Sequence, residues 1–282
     1  MRVLGPGLDA LRRFAGERFP LRASVPIAAA LYAAPASLGH PAPPEVAQGA
    51  LATFLGLLCL RIADDLADLE RDRRVHPERG LPSGRIDARR LADVNLVLGA
   101  ALVAVESSSP WRLTLYLGAC LFYCAWYGRW RTGAHVVARP FFSNLVFPCA
   151  VLHGAGPSAW RAAVPLALYS WLVAIGHEFA HNVRSVEEDA SSGPDYASVL
   201  GARGTASLSV ALFAAAAVTA VLLWQSLERP RGFGLALVAS VVGLGFFLSR
   251  LLRQPGPRQS RALYRAAILF GLVPGLGLLL PR

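Results

Sequence analysis

The amino-acid sequence predicts an all-α, polytopic membrane protein, a bundle of nine transmembrane helices that forms one domain over residues 1–282. Hydrophobic residues make up 54% of the 282-residue chain and charged residues 16%, whereas soluble domains carry about 25% charged residues. The apolar residues are gathered into nine runs, and a bilayer core requires about 20 apolar residues per helix. The arginines between these runs follow the distribution that a membrane topology requires.

The nine predicted spans are rich in Gly, Ala and Pro, and small residues allow helices to pack closely in lipid. They cover residues 24–39, 46–63, 91–108, 111–128, 141–157, 161–180, 205–225, 232–251 and 263–280. Before the first span, LDALRRFAGERFPL (residues 8–21) spaces its apolar residues at helical intervals. This spacing predicts an interfacial helix within an N-terminal arm of residues 1–23.

Arginine supplies all of the basic charge, since the chain has 28 arginines, no lysine and a net charge of +10. If the N-terminus is cytoplasmic, 23 of the 28 arginines lie in the arm or in connections on that side, as the positive-inside rule predicts for nine helices. The composition is typical of a GC-rich coding sequence. We therefore expect a multi-pass protein of a bacterial cell membrane, with its N-terminus and acidic loops cytoplasmic. The arginines are expected to contact lipid headgroups and not nucleic acid, whose binding proteins combine clustered basic charge with stacking aromatics.

Four aspartates stand where the second predicted span ends. Asp65, Asp68 and Asp72 have the spacing i, i+3, i+7, which places them within roughly 60° on one helix face, and Asp64 lies beside them. Clustered carboxylates repel one another and are costly at a membrane boundary. Their positive partner is either the neighbouring arginines, Arg79 among them, or a divalent cation. Magnesium suits the second alternative, because it is usually held by one or two carboxylates plus substrate phosphates.

A second polar stripe follows the sixth predicted span. Glu178, Asn182, Ser185 and Asp189 have the spacing i, i+4, i+7, i+11, again on one helix face, and all four side chains offer oxygen. Glu178 lies inside the span, where an ionisable residue indicates function. A pair of solvated, salt-bridged helix ends is the structural alternative. The two stripes lie on the same predicted side of the membrane, at similar depth, and each is followed by a similar loop. This agreement favours a binding site.

Two carboxylate helices with magnesium suit a diphosphate, because metal ions neutralise its charge and stabilise the leaving oxygens. An apolar bundle can bury an isoprenoid chain attached to that diphosphate. Loss of diphosphate leaves an allylic carbocation, which requires a dry pocket with aromatic faces. Candidate aromatic residues are Phe122, Tyr123, Trp126, Tyr127, Phe141, Phe142, Tyr169 and Trp171.

The two acidic motifs resemble those of the UbiA-type superfamily of intramembrane prenyltransferases, a family of nine transmembrane helices. DDLADLERD (64–72), with RGLPSGRI (79–86) after it, is similar to the first motif and its loop. EFAHNVRSVEEDASSG (178–193) is similar to the second motif. The similarity extends to YGRW (127–130) and RPFFSN (139–144).

The resemblance implies a Mg²⁺-dependent enzyme that ionises a prenyl diphosphate and transfers the prenyl group to a small aromatic or lipidic acceptor. It implies metal ligands at both motifs, with Asp68 and Asp189 catalytic. The implied metal ligands are Asp64, Asp65, Asp68, Asp72, Asn182, Ser185 and Asp189. The implied substrate-binding residues are Arg79, Tyr127, Arg129, Asn144 and Glu178.

Three positions depart from the family pattern. Asp64 replaces an Asn, Gly80 replaces a Pro of the loop, and Ser185 replaces the first Asp of the second motif. A hydroxyl is a weaker magnesium ligand than a carboxylate, so the change at Ser185 also favours a divergent branch, such as a membrane terpene cyclase that needs no acceptor. A transporter or scaffold that uses the acids as a cation site is an alternative of a different class. A CDP-alcohol phosphotransferase is disfavoured, because its Asp-Gly-x-x-Ala-Arg pattern is absent.

Overall fold

The computed structural model describes residues 4–39, 42–122, 136–183, 196–228 and 230–280. Over these residues the chain is helical and contains no strand. The helices are α1 (Leu4–Arg18), α2 (Leu21–Ala36), α3 (Pro43–Ala67), α4 (Leu69–Val75), α5 (Ala88–Glu106), α6 (Pro110–Phe122), α7 (Arg139–Ser143), α8 (Val146–Ala155), α9 (Trp160–Asn182), α10 (Tyr196–Ser226), α11 (Arg231–Arg253) and α12 (Pro257–Gly277). Short 3₁₀ turns, Val136–Ala138 and Pro157–Ala159, precede α7 and α9.

The chain divides into two compact units, and two of the boundaries between them fall within α2 and α6. The first unit comprises Met1–Ala29 and Pro43–Leu113, and the second comprises Ala30–Ala42 and Thr114–Arg282. The expectation of a single domain over the whole chain stays a prediction.

In the first unit, α1 and α3 both pack against α5. Phe14 of α1, Ile62 of α3 and Leu91 of α5 are completely buried in one apolar cluster. In lipid, helices associate through close packing and not through the hydrophobic effect, and the packing of this cluster attaches α1 to the unit. The same cluster includes Leu81 and Ile86 of the loop between α4 and α5. Packing therefore holds the C-terminal end of α1 near the acidic end of α3 and this loop.

The second unit is organised around α9, which packs against α8, α10 and α12. Its core includes Val173 of α9, Phe213 of α10 and Phe270 of α12. Tyr169 is completely buried, donates a hydrogen bond to the carbonyl oxygen of Phe270, and stacks edge-on against its ring. Tyr169 therefore joins α9 to α12.

A described helix, or a pair of them, overlaps each predicted span, and residues 123–128 of span 111–128 lie outside the described residues. The prediction of an all-α membrane protein is confirmed. Among the described residues, four helical segments are long and apolar enough to cross a membrane: Pro43–Ala67, Pro157–Asn182, Ala197–Ser226 and Arg231–Arg253. The count of nine transmembrane helices stays a prediction. The interfacial stretch is also helical, as α1, although it begins earlier than predicted.

Two predicted spans differ from the helices observed. Span 141–157 is divided into α7 and α8, and Asn144 lies between them with φ −95° and ψ 7°. Its side-chain amide bonds to Pro140 and Glu178. The helix that covers span 205–225 begins at Tyr196 and is interrupted at Gly201, where φ is 68° and ψ is 168°. Glycine reaches this left-handed φ without the steric cost of a side chain.

Candidate functional site

The four aspartates of the first motif lie on nearly continuous helical backbone. Asp68 separates α3 from α4, with φ −89° and ψ 2°. The helical hydrogen-bond pattern nevertheless passes through it, since Asp68 N–H donates to the Asp64 carbonyl at 2.9 Å and Asp72 N–H donates to the Asp68 carbonyl at 2.8 Å. The motif thus retains its helical register across the junction.

Asp65 is enclosed by two guanidinium groups. Arg18 donates to both carboxylate oxygens, from Nε at 2.7 Å and from a terminal nitrogen at 3.0 Å. Arg61 lies 2.7 Å from the oxygen Oδ1. Only 7% of the Asp65 side chain is exposed. A bidentate, charge-assisted pair is strong and geometrically specific, so this carboxylate joins α1 to α3.

The first and last aspartates of the motif, Asp64 and Asp72, also form ion pairs with arginines. Arg79 donates to Asp72 at 2.7 Å, and Arg61 lies 3.3 Å from Asp64. Two of the neighbouring arginines, Arg61 and Arg79, therefore pair with acids of this motif. Among the described residues, no three His, Cys, Asp or Glu side chains converge to hold a metal ion unaided. The carboxylates of this end suit magnesium held by one or two protein ligands together with substrate oxygens.

Residues 76–87, here called the Arg79 loop, connect α4 to α5. Gly80 is buried, and its N–H donates to both carboxylate oxygens of Glu17, at 2.9 and 3.0 Å. The loop ends at Asp87, whose side chain caps α5 by accepting from Arg89 N–H and Arg90 N–H.

In the second unit, Glu178 and Asn144 are in contact, and both were predicted from the sequence. Oxygen Oε2 of Glu178 accepts from the Asn144 amide and, at 3.2 Å, from the Ser143 hydroxyl. The Asn144 amide also donates to the Pro140 carbonyl at 2.8 Å. The break between α7 and α8 thus directs two polar side chains onto one carboxylate. Asn182 lies one turn after Glu178 and donates to its carbonyl oxygen at 2.9 Å.

Aromatic rings pack beside this polar group. The Phe141 ring lies 6.2 Å from the Trp171 ring and 6.3 Å from the Phe179 ring, in edge-on arrangements. Trp171 Nε1 donates to the Phe141 carbonyl at 2.8 Å. Two of the candidate aromatic residues, Phe141 and Trp171, are therefore in contact with each other.

The end of α9 is supported by α12. The Tyr264 ring lies 4.2 Å from the ring of His177 and 4.8 Å from that of His181. Ser260 donates to the Ala180 carbonyl at 2.7 Å. These contacts fix the helical turn that carries Glu178 and Asn182.

Six predicted residues lie outside the described residues: Ser185, Asp189, Tyr127, Arg129 and the candidate aromatic residues Tyr123 and Trp126. The roles implied for them stay predictions.

Comparison with known proteins identifies the family. The model of the UbiA prenyltransferase family matches residues 23–271. The chain belongs to this family. The resemblance inferred from the two acidic motifs is thereby confirmed, as is the expectation of a prenyltransferase at the level of the family.

The relatives of this UbiA-family chain include a digeranylgeranylglyceryl phosphate synthase of Thermococcus gammatolerans. It is 28% identical over 183 residues, which span 61% of this chain and 63% of that protein. The match thus covers less than two thirds of the relative's length. A solved structure of a digeranylgeranylglyceryl phosphate synthase has a TM-score of 0.70 at 17% identity and covers 99% of both chains. A UbiA homolog from Aeropyrum pernix K1 has a TM-score of 0.78 at 14% identity, over 92% of this chain and 98% of the other. These two likenesses confirm the fold.

Three residues that contact the candidate residues or the Arg79 loop were not predicted from the sequence. Glu17 and Arg18 end α1 and contact the Arg79 loop and Asp65, respectively. Ser143 precedes the predicted Asn144 and shares its contact with Glu178. The apolar spacing of α1 indicated a helix, but no local pattern indicated where its end would dock. Ser143 lies within the RPFFSN stretch, and its place before Asn144 was the available signal.

Proposed function

We propose that this UbiA-family protein is a Mg²⁺-dependent intramembrane prenyltransferase. It ionises a prenyl diphosphate and transfers the prenyl group to a small aromatic or lipidic acceptor. The observation that carries the proposal is the alternation of carboxylates and guanidinium groups at the end of an apolar helix, with Arg79 2.7 Å from Asp72. This arrangement offers acceptors for a cation and donors for an anion at one place.

Within the first motif, Asp64, Asp68 and Asp72 are the proposed metal ligands. Bound magnesium would neutralise the diphosphate and stabilise the leaving oxygen. Arg79 is the proposed phosphate contact, since its planar guanidinium can donate two parallel hydrogen bonds to phosphate oxygens. Asp65 was implied to be a ligand as well. Its two arginine partners instead support a role in holding α3 to α1.

Asn182, Ser185 and Asp189 are proposed as the second ligand set, with Asp189 catalytic. Glu178 is a proposed substrate-binding residue, and the donors of Ser143 and Asn144 orient its carboxylate. Tyr127 and Arg129 are further proposed diphosphate contacts. The rings of Phe141 and Trp171 are proposed to stabilise the positive charge that remains on the prenyl group when diphosphate leaves, because aromatic faces attract cations.

Purified full-length protein in liposomes provides the direct test. It is incubated with prenyl diphosphates of several lengths, with MgCl₂ or with EDTA, and with or without aromatic and glyceryl-phosphate lipid acceptors. Glyceryl-phosphate lipids are the first acceptors to test, because one relative is a digeranylgeranylglyceryl phosphate synthase. We expect magnesium-dependent diphosphate release and a prenylated acceptor by mass spectrometry. Hydrocarbon or terpene-alcohol products formed without acceptor would show that the protein is a cyclase and not a transferase. Prenyl diphosphates that stay intact in every mixture would exclude both activities.

Ser185→Asp is expected to retain or raise magnesium affinity. The substitution places a carboxylate between Asn182 and Asp189 on the predicted face, and a carboxylate is a better magnesium ligand than a hydroxyl. Magnesium titration of the protein with inorganic diphosphate, followed calorimetrically, measures the change. Weaker binding than in the wild type would mean that Ser185 does not face the ligands.

The cytoplasmic placement of the Arg79 loop is a separate expectation. A single cysteine at Glu78 should react with a membrane-impermeant maleimide only after intact cells are opened. One at Ser107, beyond the other end of α5, should react in intact cells. The background is a variant with Cys59, Cys120, Cys124 and Cys149 replaced. The reverse labelling pattern would invert the topology that the arginine distribution predicts.

A further inference from the structure

The last two residues of α1 contact two different parts of the acidic end of the first unit. Arg18 binds Asp65 of α3, while the neighbouring Glu17 binds the Arg79 loop through Gly80 N–H. Both Glu17 oxygens lie within 3.0 Å of that nitrogen. A carboxylate that accepts from a backbone N–H forms a charge-assisted hydrogen bond, which is stronger than a neutral one.

The residue at position 80 suits this contact in two respects. A Cβ atom added to Gly80 would lie 2.6 Å from Oε2 of Glu17 and 2.8 Å from Cδ1 of Ile86. Any larger side chain would therefore displace the carboxylate. Proline, which the resemblance places here, has no N–H to donate. The departure from the family pattern at Gly80 thus supplies the donor that Glu17 uses.

The other backbone hydrogen bonds around Arg79 remain local. Arg79 N–H donates to the His76 carbonyl at 3.1 Å, Ser83 N–H donates to the Arg79 carbonyl at 3.0 Å, and Ile86 N–H donates to the Gly80 carbonyl at 2.8 Å. These bonds set the internal shape of the loop. The bond to Glu17 fixes the peptide plane between Arg79 and Gly80 relative to α1, and therefore fixes the position from which the Arg79 side chain extends to Asp72.

We propose that Glu17 is a positioning residue that holds the Arg79 guanidinium where it meets the diphosphate of the substrate. The inference rests on the proposed function, in which Arg79 contacts that diphosphate. Glu17 acts through the Gly80 amide and does not touch the substrate.

An effect of charge and an effect of position predict opposite changes in diphosphate affinity when Glu17 is removed. By charge alone, removal of a carboxylate near an anion-binding site raises the affinity for diphosphate, because like charges repel. By position, removal releases the loop and lowers that affinity. Glu17→Gln separates the two accounts, since glutamine removes the charge but keeps an oxygen that can accept from Gly80.

The test compares Glu17→Ala, Glu17→Gln and a matched control, Asp9→Asn. Asp9 is also an acid of α1, and its ion pair with Arg13 is exposed. Two quantities are measured on the full chain in detergent: hydrogen exchange of peptides covering 76–87, and calorimetric binding of inorganic diphosphate with MgCl₂. Loss of a hydrogen bond to a charged group is expected to change each by roughly tenfold or more.

We expect Glu17→Ala to speed exchange in the loop and to weaken diphosphate binding, with the KM for prenyl diphosphate raised more than kcat is lowered. Glu17→Gln and Asp9→Asn should stay within about threefold of the wild type. Equal exchange and affinity in Glu17→Ala and the wild type would overturn the proposal, and so would tighter binding in both Glu17 variants. If wild-type protein binds no diphosphate, the proposed function fails. Hydrogen exchange then still reports whether Glu17 holds the loop.

Discussion

Replacing Asp68 with asparagine is expected to lower the rate of diphosphate release from a prenyl diphosphate by about 100- to 1,000-fold, the loss typical of one removed electrostatic contact to a developing charge. The substitution exchanges one carboxylate oxygen for an amide nitrogen and leaves the backbone unchanged. The bonds from Asp68 N–H to Asp64 and from Asp72 N–H to Asp68 can therefore persist. The expected loss is one of metal and diphosphate binding, not of folding.

Glu70→Gln is the matched control for Asp68→Asn. Glu70 lies in α4, two residues from Asp68, but its side chain is 80% exposed and pairs with Arg73 at the surface. Release should therefore stay close to the wild-type rate. Asp189→Asn is measured in parallel, because the proposed function gives Asp189 the same chemical role. Full turnover in Asp68→Asn at matched magnesium concentration would remove the first motif from the catalytic site.

The local part of the site could be predicted from the sequence, and the long-range part could not. Helical periodicity predicted that the four aspartates lie on successive turns of helix: Asp64, Asp65, Asp68 and Asp72. The backbone hydrogen bonds from Asp68 to Asp64 and from Asp72 to Asp68 confirm this. The partners of Asp65 include Arg18, which lies 47 residues earlier. That contact depends on how α1 packs against α5, which is decided by tertiary burial and not by any local pattern.

The same distinction applies in the second unit. A resemblance in the RPFFSN stretch pointed to Asn144, and Asn144 does contact Glu178. The continuous span predicted over 141–157 was wrong in its middle, where α7 ends and α8 begins. Apolar composition predicts that such a segment is buried in membrane. It does not predict that polar contacts will interrupt the helix to orient a carboxylate.

Asp65→Asn is expected to destabilise the folded protein by about 2–3 kcal/mol. The substitution removes a buried negative charge and leaves two guanidinium groups without their negative partner. Arg18 and Arg61 are 22% and 32% exposed, so water offsets part of the larger cost that fully buried pairs incur. Thermal unfolding in detergent, without substrate, measures this change. Asp9→Asn removes an exposed ion pair of α1 and should cost no more than about 1 kcal/mol.

A double-mutant cycle separates the structural role of Asp65 from a role in metal binding. In the Arg18→Met background, Asp65→Asn should lower the free energy of unfolding by less than it does in the wild type. Two partners in direct contact show a coupling energy of about 0.5–3 kcal/mol. At a temperature where Asp65→Asn is folded, magnesium and diphosphate should bind with nearly wild-type affinity. If binding falls while unfolding is unchanged, Asp65 is a metal ligand as the resemblance implies. If stability falls and binding persists, the first motif divides its acids between anchoring α3 and holding the substrate.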